Sequence, residues 1–274
     1  MRFATIRTPD GTRAARVDGD TLVELEARDV GELLARTDAS PRETGVVHDV
    51  AHADYAPVVT HPGKIICQGL NYRNHILEMG HELPTHPTLF AKFREALIGA
   101  HDDIALPASS HAVDWEAELA LVIGTRVRRA SPAEAADAIA GFTVANDVSM
   151  RDWQNRSLEW LQGKTWEHST PVGPWLVTPD ELGSTEPDLE IRCEVDGVAR
   201  QSARTAELVF TPPDLVAYAS EFVTLEPGDL FLTGTPAGVG HGMQPPIYLE
   251  PGQVVHTIIE HIGELRNVCR AEAS

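Results

Sequence analysis

The stretch Asp114–Gly124, DWEAELALVIG, decides the fold. It is apolar, branched at Val122 and Ile123, closed by a glycine, and reads as a β-strand. Side chains alternate across a strand, so Glu116 and Glu118 share one face. Trp115, Ala117, Leu119, Leu121 and Ile123 share the other and read as core. Two like charges a few ångströms apart repel unless something positive lies between them. The glutamate face continues as Ala120 and Val122, so it is not a plainly exposed polar face.

Outward from this strand, most segments are short strands joined by turns. On the N-terminal side, MRFATIR, RAARVDG and TLVEL read as strands and DVGELLART as a short helix. Residues 37–63 are polar and turn-rich and mark a boundary. KIICQGL and PTLFAKF read as strands, with NYRNHILEMG between them as a helix stopped by Gly80. On the C-terminal side, SPAEAADAIA is a helix with Ser131 as N-cap and Glu134 at the capping-box position. GFTVANDVS is a strand with a polar end, and DLEIRCEVDGVARQSA is a hairpin around Asp196-Gly197. TPPDLVAYASEFV is a helix; DLFLTG and VVHTIIEHIG are strands. Regular βα alternation is absent, which argues against a doubly wound sheet. The expected class is α+β and β-rich, with a small N-terminal β module over residues 1–60 and a main domain over 61–274.

The chain has 274 residues, 42% of them apolar, enough to bury a large core. Its 22 Lys+Arg against 41 Asp+Glu give a formal charge of −19. An acidic surface repels nucleic acid and anionic membranes, so neither is expected as a partner. Cys67, Cys193 and Cys269 are scattered and form no CxxC pair, which suits a reducing cytosol. No signal peptide and no apolar run near the ~18–20 residues of a membrane helix is apparent, so a cytoplasmic location is expected. Only Lys64, Lys92 and Lys164 are lysines; every other basic residue is arginine. A retained lysine marks a place where a compact ammonium matters, or falls by chance at a surface site.

Four groups of residues carry chemistry. Glu116 and Glu118, with Asp147 at the end of VANDVS, offer three carboxylates on rigid elements, a set that suits a hard divalent cation. Mg²⁺ takes about six ligands, so three carboxylates leave about three positions for water or substrate. The alternative is a solvated strand face with an Asx turn. His75 and Glu78 are three apart on one helix face, where a carboxylate fixes the imidazole tautomer and makes it a better base; the alternative is an ordinary surface pair. Arg151 and Gln154 follow Asp147, and with Lys92 and Lys164 can offset the charge of an anionic substrate; the alternative is surface charge. LEPGDLFLTGTPAGVG lacks the Gly-Lys-Ser/Thr of a P-loop, so nucleotide binding is rejected. A backbone amide and the Thr235 hydroxyl there can still bind a carboxylate, or the segment is simply a tight turn.

In this order, KIICQGLNYRNHILEMG, PTLFAKF, DWEAELALVIG, GFTVANDVSMRDWQ, GKTWEHSTPVGPWL and LEPGDLFLTGTPAGVG resemble the fumarylacetoacetate hydrolase family, over roughly Lys64 to Gly240. The resemblance implies mixed β-sheets rolled around a central site, a homodimer, and Mg²⁺ (in some members Mn²⁺ or Ca²⁺) on Glu116, Glu118 and Asp147. It implies a water-activating pair at His75 and Glu78, and substrate contacts at Tyr72, Arg151, Gln154, Lys164 and Thr235. Members act on small keto acids as hydrolases of acylpyruvates, oxaloacetate decarboxylases, or isomerase/decarboxylases of aromatic catabolism. The short Asn-Tyr-x-x-His motif departs from the longer spacing of the animal tyrosine-degradation enzyme, which argues against fumarylacetoacetate as substrate.

The expected reaction is hydrolysis of a C–C bond in an acylpyruvate. His75, oriented by Glu78, takes a proton from water, the hydroxide attacks the distal carbonyl, and a pyruvate enolate leaves with the metal as Lewis acid. Lys164 offsets the developing charge, while Arg151 and Gln154 hold the ends. Decarboxylation of oxaloacetate uses the same groups without water; an isomerase and a non-catalytic metal-dependent binding protein are the other readings. Trp153, Trp160 and Trp166 either pack or line the site.

Overall fold

The computed structural model describes residues 1–36, 41–78 and 82–272, apart from the side chains of His75 and Glu78. The strands are β1 (Arg2–Thr8), β2 (Gly11–Asp18), β3 (Thr21–Leu25), β4 (Glu43–Asp49), β5 (Ile65–Gly69) and β6 (Thr88–Ala91). They continue with β7 (Leu97–Ile98), β8 (Ile104–Leu106), β9 (Val113–Asp114), β10 (Ala117–Ile123), β11 (Ile139–Asn146) and β12 (Ser149–Met150). The last are β13 (Thr170–Val177), β14 (Glu190–Val195), β15 (Val198–Arg204), β16 (Leu230–Leu232), β17 (Val254–Ile259) and β18 (Gly263–Ala271).

A large mixed sheet runs β4-β3-β2-β1-β13-β11-β10-β16-β5-β6, with β7 alongside β13. A five-stranded sheet runs β15-β14-β17-β18-β8, and β9 pairs with β12 in a short ribbon. The class is therefore α+β and β-rich, as the strand-and-turn texture predicts. The β1–β13 ladder, Arg2↔Val177 to Ala4↔Trp175, makes the N-terminal strands a direct extension of the main sheet. No helix among the described residues is long and apolar enough to cross a membrane.

Strand β10 lies at the middle of the large sheet and all seven of its residues are buried. Leu119, Leu121 and Ile123 enter the core shared with Ile191, Cys193 and Val255 of the second sheet. Ala120 and Val122 enter a second core with Cys67, Val172 and Leu230. A strand buried on both faces is held rigidly, since each large apolar side chain contributes about 1.5–3 kcal/mol. Glu118 thus stands in, and Glu116 directly before, a strand anchored on both faces.

Two expectations need correction. DWEAELALVIG is not one strand: β9 and β10 are separated at Trp115 and Glu116. There the backbone N–H groups turn to side chains, Trp115 to Asp114 Oδ1 at 2.9 Å and Glu116 to Asn146 Oδ1 at 2.9 Å. Residues 37–63, read as turns, contain β4; its residues are mostly exposed, so it shows no apolar alternation, and its ladder with β3 makes it a strand. Other local readings hold. Ser131 and Glu134 form the capping box of the helix Pro132–Ala138. Asp196 and Gly197 both have positive φ, 52° and 74°, as the tight β14–β15 hairpin requires.

Candidate active site

Antiparallel pairing of β10 with β11 places Ala117 opposite Asn146, so the residues just beyond, Glu116 and Asp147, meet at one end of the ladder. The Asp147 N–H donates to the Glu116 carbonyl at 2.8 Å. Ligand oxygens of Glu116, Glu118 and Asp147 all lie within 4.8 Å of one another, and all three side chains are buried. Three cations surround them. Lys164 Nζ donates to Glu116 Oε2 at 2.6 Å and to Asp147 Oδ2 at 2.8 Å. Lys92 Nζ donates to Asp147 Oδ1, and Arg151 Nη2 pairs with Glu116 Oε1 at 2.6 Å. Glu118 accepts the Gly234 N–H at 2.7 Å, and no lysine or arginine of the described residues forms an ion pair with it.

The electrostatics follow from burial. Burial, then the charges of Asp147 and Glu116, push the Glu118 carboxyl well above the ordinary carboxylate range. For Lys164, burial acts to lower the pKa, but the Asp147 and Glu116 charges outweigh it and the ammonium is held. Arg151 is raised in the same way, burial being overcome by Glu116 and Asp114. With Asp114 included, four buried carboxyl groups face the cations Lys92, Arg151 and Lys164 among the described residues. Three converging hard oxygen donors, with Glu118 paired to no lysine or arginine among the described residues, fit a divalent cation. Glu116, Glu118 and Asp147 would hold it.

Beside these carboxylates lies a cavity of about 290 Å³, lined in part by Glu116, Arg151, Gln154, Lys164, Thr235 and His241. Its apolar side is Phe90, over which the Lys164 ammonium sits 5.0 Å from the ring centroid, and Trp160, edge-on to Phe90 at 5.6 Å. A Cβ at Gly69 would meet the Trp160 ring at 2.2 Å, so only glycine lets the indole close this wall. Gln154 Oε1 accepts from Arg151 Nη1 at 2.9 Å, which leaves the Gln154 amide N–H groups to donate elsewhere.

The predicted residues divide as follows. Glu116, Glu118, Asp147 and Lys164 form one cluster, and Arg151, Gln154 and Thr235 line the cavity beside it. Lys92 is buried against Asp147 and Val148. Tyr72 is fully buried; its phenol is pushed up by burial and by the Glu118 charge, and its hydroxyl has no partner among the described residues. The helix Arg73–Glu78 carries the His75 and Glu78 backbones, while the side-chain roles assigned to that pair lie outside the described residues. Trp160 lines the cavity, whereas Trp153 and Trp166 pack edge-on to each other at 5.1 Å.

Sequence reasoning missed Asp114. Fully buried, it accepts from Trp115 N at 2.9 Å and Gly240 N at 2.7 Å on one oxygen. Its other oxygen accepts from His241 N at 3.0 Å and Arg151 Nε at 2.8 Å. It thereby orients the guanidinium that reaches Glu116. Asp114→Asn keeps the shape but turns an NH₂ toward two of these donors. It should cost about 3 kcal/mol of stability, read from urea unfolding; a loss below about 0.5 kcal/mol would show that the network is not needed. Gln68, whose Oε1 is buried without a partner among the described residues, and His241, which bonds Tyr248 at 3.0 Å, also went unnoticed. Only their positions in the fold single them out.

A β-rich fold with buried carboxylates converging on a cation-rimmed cavity suits an enzyme acting on small molecules, with oxygen donors that fit a divalent cation. The chain belongs to the fumarylacetoacetate hydrolase family: the model of that family's C-terminal domain matches residues 64–270. It is 41% identical over 266 residues to the mitochondrial oxaloacetate tautomerase of Xenopus laevis, covering 91% of this chain and 83% of that protein. It is 46% identical over 210 residues to the rat mitochondrial oxaloacetate tautomerase, covering 76% and 67%. Among solved structures, the 2-hydroxyhepta-2,4-diene-1,7-dioate isomerase of Mycobacterium marinum superposes with a TM-score of 0.84 at 35% identity, covering 100% of both chains. The fumarylacetoacetate hydrolase of Exiguobacterium antarcticum gives a TM-score of 0.87 at 30% identity, covering 99% of this chain and 100% of that one.

Proposed function

We propose that the protein interconverts the enol and keto forms of oxaloacetate or a closely similar 2-oxo dicarboxylate, with Mg²⁺ on Glu116, Glu118 and Asp147. The observation that carries this reading is the buried Lys164 ammonium, which joins two of the carboxylates and lines the small cavity. The kinship with proteins named oxaloacetate tautomerases supports it. Tautomerisation moves a proton between the carbon and the oxygen of the oxo group, so negative charge builds on that oxygen. Bound at the carboxylates, the cation supplies Lewis-acid polarisation of this oxygen. Lys164 offsets the developing charge from close range in a low-dielectric site. Arg151, fixed by Asp114, and Gln154, fixed by Arg151, present N–H donors to the substrate's carboxylates. His75, oriented by Glu78, is the proposed proton carrier.

Hydrolysis of an acylpyruvate is the second reading. A pyruvate leaving group bears the same carboxylate and oxo oxygen that the cavity donors fit. One assay separates the readings. With Mg²⁺, enol-oxaloacetate should lose its ultraviolet absorbance faster than in the uncatalysed reaction, without CO₂ release. CO₂ would make the protein a decarboxylase; an acid plus pyruvate from an acylpyruvate, with no effect on oxaloacetate, would make it the hydrolase. No change in any of these overturns the catalytic proposal.

A further inference from the structure

Gln201, in β15 of the five-stranded sheet, is 1% exposed and reaches across to the large sheet. Its Oε1 accepts from the Ala117 N–H at 2.9 Å, between the carboxylate-bearing residues Glu116 and Glu118. Its Nε2 donates to the Pro236 carbonyl at 2.8 Å and to Thr235 Oγ1 at 2.8 Å. Ala117 N–H can only donate and Pro236 C=O can only accept, so the amide has one orientation. Gly238 lets the Thr235 loop lie against β15: it has φ of 98°, and a Cβ there would meet the Arg200 carbonyl oxygen at 2.0 Å.

The consequence falls on Thr235. A hydroxyl has a single proton and can both donate and accept. Because Thr235 Oγ1 accepts from Gln201, its proton is free for another acceptor, and none takes it among the described residues. Thr235 lines the cavity. We infer that Gln201 is a positioning residue that sets the Thr235 hydroxyl as a donor toward the cavity, so that this wall recognises a carboxylate oxygen. Gln154, whose carbonyl is capped by Arg151, is set as a donor by the same logic, and Lys164 and Arg151 carry only donors. These donors lie on one wall and suit a carboxylate oxygen, while Glu116 lines the cavity beside them. The substrate class rests on the reading under Proposed function; the hydrogen-bond polarity does not.

The test is a double-mutant cycle read by calorimetric binding of oxalate in Mg²⁺. Oxalate is a dianion with no C–H bond, so no turnover intervenes. Gln201→Glu keeps an acceptor for Ala117 N–H but reverses the polarity at Thr235, whose proton then turns to the new carboxylate. Thr235→Val removes the donor, and Thr235→Ser restores it. Gln201→Glu should weaken oxalate about 10-fold more in the wild-type background than in the Thr235→Val background. The cycle subtracts the effect of the added charge. Thr235→Ser should bind within about threefold of the wild type. Equal factors in the two backgrounds would reduce Gln201 to a bracing role and overturn the inference, as would a wild type that does not bind oxalate. Oxalate binding with the expected coupling but no oxaloacetate tautomerisation would refute the proposed reaction alone.

Discussion

Glu118→Gln should raise the melting temperature of the metal-free protein by about 4 °C while lowering its Mg²⁺ affinity by about 100-fold or more. Both effects have one cause. Glu118 is buried beside two other carboxylates, and among the described residues the hydrogen bond that holds it is a backbone N–H from Gly234, not a cation. Its charge is the least compensated of the cluster, which burial, Asp147 and Glu116 express as a strongly raised pKa. Glutamine has the same shape, still accepts from Gly234, and removes the repulsion, worth about 1–2 kcal/mol. The same change removes one of three oxygen donors on which a divalent cation would rest. Melting curves with chelator and with Mg²⁺ read both quantities. The wild type should gain stability with metal by mass action, and the variant should not. A variant that is less stable without metal would mean that Glu118 is held by a favourable network rather than kept under tension.

Much of this site could be read from residue types in order. Alternation in the β10 segment separated two glutamates from the core residues between them, because strand geometry has period two whatever its neighbours do. The capping box at Ser131 and the Asp196-Gly197 turn are local, and local chemistry survives folding. What stayed hidden depends on long-range pairing. Asp114 looked like the first residue of a strand, yet it binds the backbone N–H groups of Gly240 and His241 from the far end of the chain. Gln201 sits in a hairpin whose alternation gives no hint that its amide crosses to Ala117. Strand β4 escaped notice because an exposed edge strand needs no apolar pattern. The polar residues that organise the site therefore become visible only once sheet order and register are fixed.

Lys164→Met should act in the opposite sense to Glu118→Gln on stability. Methionine fills the volume of the lysine stem and removes the ammonium bonded to Glu116 and Asp147. Lys164 is 2% exposed, and without its ammonium the two carboxylates lose a buried counter-ion. Breaking one partner of a buried ion pair costs about 3–5 kcal/mol. The metal-free variant should therefore melt about 10 °C below the wild type. Mg²⁺ should recover most of that loss, because a cation on the same oxygens replaces the missing positive charge, and its affinity should rise about 10-fold as a competing charge is removed. Turnover should not recover: the ammonium beside the cavity is the group proposed to offset charge on the reacting oxygen, and its loss should cost about 100–1000-fold in kcat. Stability restored by metal without activity separates the two roles of one side chain. Activity restored together with stability would confine Lys164 to holding the carboxylates and move the electrostatic role to Arg151.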